Sequence, residues 1–191
     1  MHHFFAYMAR MRNIVRWPLM RNTQTENIQE HSLQVAMLAH GLAMIANRRL
    51  GRNVDLGEVV QLALYHDAGE VITGDMPTPV KYMNPEIRQA YRQIERIASQ
   101  KLLSMLPEDF RDAYGALLQP SEACPAMRYV KAADKLAAYL KCVEEARCGN
   151  EEFAKAQENI LRELRRLQMP EVEIFLEEFA PSFAMTLDEL N

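Results

Sequence analysis

No apolar run in this chain approaches the roughly 18 residues that a membrane-spanning helix needs, so no membrane partner is expected. Cysteine is scarce: Cys124, Cys142 and Cys148 are odd in number and form no CxxC, a usage that suits a reducing cytoplasm. An excess of basic charge is also missing. The 22 Lys and Arg against 26 Asp and Glu leave a net charge of −4, which argues against a nucleic-acid polymer as partner. The stretch Glu171 to Asn191 has six acids and no Lys or Arg, and would repel a polyanion. Its Phe175, Phe179 and Phe183 recur every four residues, which predicts a packed helix there. Residues 1–25 show the reverse imbalance, with Arg10, Arg12, Arg16 and Arg21 and no acid. That is one property of an organellar transit peptide. The segment is not Ser-rich, however, and Arg16-Trp17 has a chemical use described below. Alternating strand patterns and internal repeats are absent as well.

What remains is helical periodicity over 191 residues, 49% of them hydrophobic, enough for one core in one domain spanning 1–191. A first helix is predicted over 2–12, then an irregular link from Arg16-Trp17-Pro18 to Thr25. A long helix over 27–49 turns Ile28, His31, Val35, Leu38, Leu42 and Ile45 inward, with Gly51 as its stop. Asp55-Leu56-Gly57-Glu58 reads as a capping box opening a helix to residue 68, whose face continues through Val59, Leu62, His66 and Glu70. Two Gly and two Pro make 69–80 a loop. Asn84-Pro85 starts a helix to 105, and Pro107 opens a shorter one. Further helices cover 126–148, stopped by Gly149-Asn150, then 151–167 and 171–180. The fold class predicted is an all-α, single-domain bundle.

Three pieces of this pattern belong together: His31, the adjacent pair His66-Asp67, and the distant Asp134. A lone histidine on an apolar helix face is ordinarily a core residue bonded to a neighbour, and that holds for His31 and His66 taken singly. Asp67 resists this reading, and Asp134 more so. Asp134 is in step with Val130 and Ala137 and is expected to face inward, where an unpaired carboxylate is costly. One metal ion accounts for all four residues. Two imidazoles and two carboxylates suit Mn, Fe, Co, Ni or Zn, and leave open positions for water and phosphate. His40 is nine residues from His31, about half a turn out of phase, and is expected to face away. His2 and His3 are terminal, so no imidazole remains for a second ion and a mononuclear site is expected.

The spacing His31, His66-Asp67, Asp134 resembles the signature of the HD-domain superfamily of metal-dependent phosphohydrolases. Within it, the chain resembles the bacterial 5′-deoxynucleotidases. The resemblance runs through Arg16-Trp17-Pro18-Leu19-Met20-Arg21-Asn22, Glu26-Asn27, Glu30-His31-Ser32-Leu33-Gln34-Val35-Ala36 and Tyr65-His66-Asp67. It continues in Thr73-Gly74-Asp75-Met76-Pro77-Thr78-Pro79-Val80-Lys81-Tyr82, Pro181-Ser182-Phe183 and Leu187-Asp188-Glu189. It implies a helical homodimer that uses one divalent ion per subunit, with cobalt or manganese effective. The reaction it implies removes phosphate from 2′-deoxynucleoside 5′-monophosphates and rejects ribonucleotides. On that resemblance His31, His66, Asp67 and Asp134 would bind the metal, with Asp67 and Asp134 also facing substrate. Arg16 would orient the phosphate, Trp17 would crowd the sugar where a 2′-hydroxyl would sit, and Asp75, Met76, Pro77 and Thr78 would contact the nucleotide. Glu70 would be the catalytic acid or base.

The residue types support these roles independently. A divalent ion lowers the pKa of its water from about 16 toward 7 and polarises a phosphoryl oxygen. Arg16 offers planar paired donors that match phosphate, although an arginine in a link is often just a surface group. Glu70 lies one turn after His66, on the ligands' side of a helix; otherwise it is a solvated helix-end carboxylate. Trp17 is the sole tryptophan and is ordinarily core; at a sugar it excludes a hydroxyl by overlap. Asp75 and Thr78 either cap turns or bond the 3′-hydroxyl, sugar or phosphate. No base-reading motif is present, so tolerance of the base is expected. Two alternatives stay open. One is another substrate within the superfamily: a cyclic nucleotide, (p)ppGpp or a nucleoside triphosphate. The other is a non-catalytic helical interaction protein stapled by metal.

Overall fold

Asn27 and Glu30 decide where the central helix begins. In the computed structural model, which describes residues 1–81, 83–121 and 123–191, the Asn27 side chain accepts from the N–H groups of Gln29 and Glu30. The Glu30 carboxylate accepts from the Asn27 N–H in return. This reciprocal box satisfies donors that a helix start leaves unpaired. Helix α2 then runs Ile28–Arg49. Ile28, His31, Val35, Leu38, Leu42 and Ile45 are buried along it, as their spacing predicts. Gly51, at φ 66°, takes the left-handed turn that follows its end.

The N-terminal helix is shorter than predicted. It covers Phe4–Met8 as α1 and tightens into a 3-10 turn over Ala9–Asn13. Neither has a side-chain cap. So short a helix is marginal alone, and α1 is anchored instead by the fully buried Phe4, edge-on to Tyr114 at 5.0 Å. Helix α3 (Leu56–Tyr65) is capped by Asp55, which accepts from the Glu58 N–H. It stops three residues before the predicted 68, because turns through Ala68 N–H to Tyr65 O and Glu70 N–H to Asp67 O replace the regular ladder.

Residues 69–80 are not the plain loop expected. Two single-turn helices form, α4 (Glu70–Thr73) and α5 (Thr78–Lys81). Gly74, at φ 75°, separates them, and Pro79 sits in the first turn of α5, where its missing N–H costs nothing. Tyr82, the last residue of the segment Thr73 to Tyr82, lies outside the described residues. Helix α6 (Pro85–Ser104) starts on the Asn84 cap, as predicted. After Pro107 a 3-10 turn leads into α7 (Arg111–Leu118), and α8 (Met127–Arg147), α9 (Ala154–Arg166) and α10 (Pro170–Glu178) follow. The three C-terminal phenylalanines do not share one helix. Pro181 cannot extend α10, so the chain turns through a 3-10 segment over Ala180–Ala184. Phe175 is buried, Phe183 half-buried, and Phe179 is 41% exposed.

Helix α2 packs against α3, α8 and α10, and α3 against α8. Val35, Leu42, Leu62, Val130, Leu136, Leu140 and Val172 fill the core they share. A smaller cluster of Phe4, Ala68, Leu102 and Leu106 joins α1, α6 and the turn after α3. The described residues hold no strand; one isolated antiparallel bridge pairs Val15 with Asn27. The architecture is an all-α bundle in one domain. Among the described residues no helix is long and apolar enough to cross a membrane, and all three cysteines are free.

Candidate metal centre and active site

The sequence-predicted ligands converge where α2, α3 and α8 meet. His31, on the first turn of α2, reaches Asp134 of α8, with Nε2 3.0 Å from Oδ1. Asp67 Oδ2 lies 3.6 Å from His31 Nε2 and 3.2 Å from His66 Nε2. His31, His66 and Asp134 each offer a ligand atom, and these atoms lie within 4.8 Å of one another. The side chains of His31, His66 and Asp67 are well covered, but that of Asp134 is 43% exposed. It is therefore not the buried carboxylate expected; α8 brings it to the edge of the site that solvent reaches. His40, His2 and His3 are exposed, away from the cluster.

These residues fit a divalent ion. His66 Nδ1 donates to the Ala63 carbonyl at 2.7 Å, so in the neutral ring that a metal requires, the lone pair is on Nε2, which faces the cluster. Among the described residues that buried Nε2 makes no well-aligned hydrogen bond, although Asp67 Oδ2 lies 3.2 Å away. Metal–nitrogen and metal–oxygen distances of roughly 2.0–2.2 Å let one ion join atoms up to about 4.4 Å apart, so a side-chain adjustment of a few tenths of an ångström closes this group around an ion.

Arg16 and Trp17 come to the same place from the link before α2. The isolated bridge holds them: Arg16 N–H donates to the Glu26 carbonyl at 2.9 Å, and Ile28 N–H to the Ile14 carbonyl at 3.0 Å. Arg16 Nη1 then lies 3.4 Å from Asp67 Oδ2, and its Nε donates to Glu26 Oε2 at 3.1 Å. Trp17 has φ 57°, a left-handed conformation that is strained for a bulky residue. Its N–H donates to Asp75 Oδ2 at 3.1 Å, its carbonyl accepts from Asn22 Nδ2 at 3.2 Å, and its indole meets Phe153 edge-on at 5.4 Å. Met76 and Pro77 are half-buried along the chain from Asp75, and Thr78 is exposed as the first residue of α5. The structure does not gather these three into the ligand cluster.

Sequence reasoning missed Glu26. Its one carboxylate accepts from Arg16, and its Oε1 lies 3.6 Å from His31 Nδ1. The available signal was an acid beside a helix-capping Asn, within reach of Arg16 across a short link.

The charges are strongly coupled. Burial works against the imidazolium of His66, but Asp67 outweighs it and raises the group to about 9. His31 is raised in the same way by Asp134 and Glu26 against burial. Burial favours the neutral form of Asp67, yet His66, His31 and Arg16 hold it well below the usual carboxylate range. Glu70 goes the other way. Burial, then the negative charges of Asp67 and Asp75, push its carboxyl up to about 9. Among the described residues its buried Oε2 has no hydrogen-bond partner, and neither has Trp17 Nε1. Unpartnered buried polar atoms are rare, and here several surround one cluster.

An all-α bundle that brings a histidine, an adjacent His-Asp pair and a distant aspartate to one helix junction is an HD-domain phosphohydrolase. A solved HD-domain phosphohydrolase from Listeria innocua has this fold, with a TM-score of 0.83 and 25% identity over 95% of this chain and 88% of that one. A family model described as 5′-deoxynucleotidase YfbR-like matches residues 3–183, and the chain belongs to that family. A 5′-deoxynucleotidase of Enterobacter sp. (strain 638) is 50% identical over 190 residues, 99% of this chain and 96% of that protein. The 5′-deoxynucleotidase YfbR of Escherichia coli matches at the same identity and coverage, 50% over 190 residues. A cyanophage S-2L HD phosphohydrolase, solved with dA and one catalytic Zn²⁺, shares the fold at a TM-score of 0.66 and 20% identity over 93% of this chain.

Proposed function

We propose that this chain hydrolyses 2′-deoxyribonucleoside 5′-monophosphates to deoxynucleosides and phosphate and discriminates against ribonucleotides. The observation that carries this reading is the guanidinium of Arg16 3.4 Å from Asp67. It sets an anion-binding fork at the edge of a cluster of metal-type donors. The named activity of relatives 50% identical over nearly the whole chain supports the substrate class.

His31, His66, Asp67 and Asp134 hold one divalent ion per subunit, and the mixed nitrogen and oxygen donors suit cobalt or manganese. Such an ion supplies an activated water at neutral pH and polarises a phosphoryl oxygen. Arg16 orients the phosphate through paired donors, and its link to Glu26 holds the fork in place. Glu70 keeps its proton at neutral pH and donates it to the departing 5′-oxygen. Asp75 spends Oδ2 on the Trp17 N–H, leaving Oδ1 to accept from the 3′-hydroxyl. Met76, Pro77 and Thr78 line the nucleotide on the same segment. Trp17, rigid between Phe153 and Asp75, stands against the sugar's 2′-carbon, where overlap rejects a hydroxyl.

The unit acts as one HD-domain phosphohydrolase over 1–191, in the cytoplasm, on a small molecule and not on a nucleic-acid polymer. It works as a homodimer, a reading supported by exposed apolar side chains on α2 (Leu33 and Met37) and α6 (Ile94 and Ile97). The function is tested by phosphate release from paired 2′-deoxy and ribo 5′-monophosphates with Co²⁺, Mn²⁺ or Mg²⁺ and an EDTA control. Release from the deoxy member of each pair alone is expected. Equal release from both would discard the sugar gate, and release from neither would discard the substrate class.

A further inference from the structure

The link between Trp17 and Asn27 has no helix of its own, yet it must hold a tryptophan in a strained conformation. Its support comes from α8, away from the metal ligands. Glu145 is 1% exposed and accepts from Thr23 N–H at 2.9 Å and Thr23 Oγ1 at 2.6 Å. It also accepts from Gln24 N–H at 3.3 Å and Asn150 Nδ2 at 2.8 Å. Lys141, one turn earlier on α8 and 6% exposed, pairs with Glu145 and donates from Nζ to the Gln24 carbonyl at 2.6 Å. The Asn150 amide reaches the Arg21 carbonyl at 2.7 Å. Phe153, three residues on, carries the Trp17 indole, and Lys141 Nζ lies 5.9 Å from the centre of its ring.

A buried pair of opposite charges loses about as much in desolvation as it gains in attraction, so it is a poor source of stability. This pair spends most of its hydrogen bonds on backbone groups of one irregular segment. We propose that Lys141 and Glu145 are positioning residues of the active site, a latch on residues 21–24 that fixes Trp17 and Arg16 beside the metal centre. The specificity part of this inference rests on reading Trp17 as the sugar gate.

Trp17 is the only tryptophan, so its fluorescence reports the latch without substrate or metal. The test is the double variant Lys141→Met with Glu145→Leu, which removes both charges and keeps their volume; it also strips partners from the Thr23 and Gln24 backbone, so its melting temperature is measured first. With melting temperature retained, Trp17 emission is expected to shift to the red and acrylamide quenching to increase. The kcat/KM for a deoxynucleoside monophosphate is expected to fall by about 10-fold to 100-fold, as misplacement by an ångström does, with a loss of deoxy preference. Wild-type emission, quenching and preference in a folded double variant would overturn the latch. Amide hydrogen exchange of the untouched protein decides independently of any variant: Thr23 and Gln24 are expected to be protected, and free-chain exchange there would overturn it. Trp17→Ala is measured alongside. If that variant keeps the deoxy preference, the gate reading fails, and the emission and exchange results still decide the latch.

Discussion

Glu70 is the residue whose chemistry is most exposed to test. Burial and the negative charges of Asp67 and Asp75 raise its carboxyl to about 9, so it holds its proton at neutral pH. As pH rises through that value the proton is lost, and with it the general acid proposed for Glu70. A cation bound by Asp67 opposes the negative field, so the alkaline limb of kcat/KM is expected at or below about 9. Glu70→Gln is expected to lower kcat by roughly 10²–10⁴-fold and to erase that limb while retaining metal. A limb that persists in the variant would assign it to another group. The nearness of Glu70 to Asp67 was legible from its spacing, although the chain reaches it through a turn and not along one helix. The half-exposed setting of Asp134 was not, because a periodicity of three and four fixes which face a residue takes but not where the bundle ends above it.

Helix boundaries were legible wherever a cap chemistry marks them. Asn84-Pro85 starts α6 as read, and Asp55 starts α3. Single-turn helices were not: α4 and α5 sit among the Gly and Pro that normally signal a loop, and four residues are too few to show a period. The link before α2 is irregular, as read, but the bridge between Val15 and Asn27 that organises it leaves no pattern in sequence. That bridge places Glu26 between Arg16 and His31. A carboxylate behind a ligating imidazole orients the ring and raises its basicity, and losing it costs about 10–100-fold in metal affinity. Glu26→Ala is therefore expected to weaken Mn²⁺ or Co²⁺ binding by that factor in calorimetry, and to raise the KM for substrate through the freed Arg16. Unchanged metal affinity would restrict Glu26 to holding Arg16.

For the molecule as a whole, composition and helical periodicity gave the all-α class, because one metal cluster at a helix junction needs only helices to assemble it. Assembly between copies leaves a weaker trace. The homodimer was implied by the resemblance and not by any patch of sequence, and the exposed apolar groups include Leu33 and Met37 of α2 and Ile94 and Ile97 of α6. Met37→Glu with Ile97→Glu is expected to shift sedimentation from dimer to monomer; an unchanged dimer would move the interface elsewhere.

We propose that His31, His66, Asp67 and Asp134 form a phosphohydrolase centre for a single ion. Titrating the metal-stripped protein with Mn²⁺, while measuring both bound ion and phosphate release from a deoxynucleoside 5′-monophosphate, tests it most directly. No release is expected without metal, and the rise is expected to be linear and to stop at one ion per chain. Release from the stripped protein, or a rise that continues to two ions per chain, would contradict a single-ion centre.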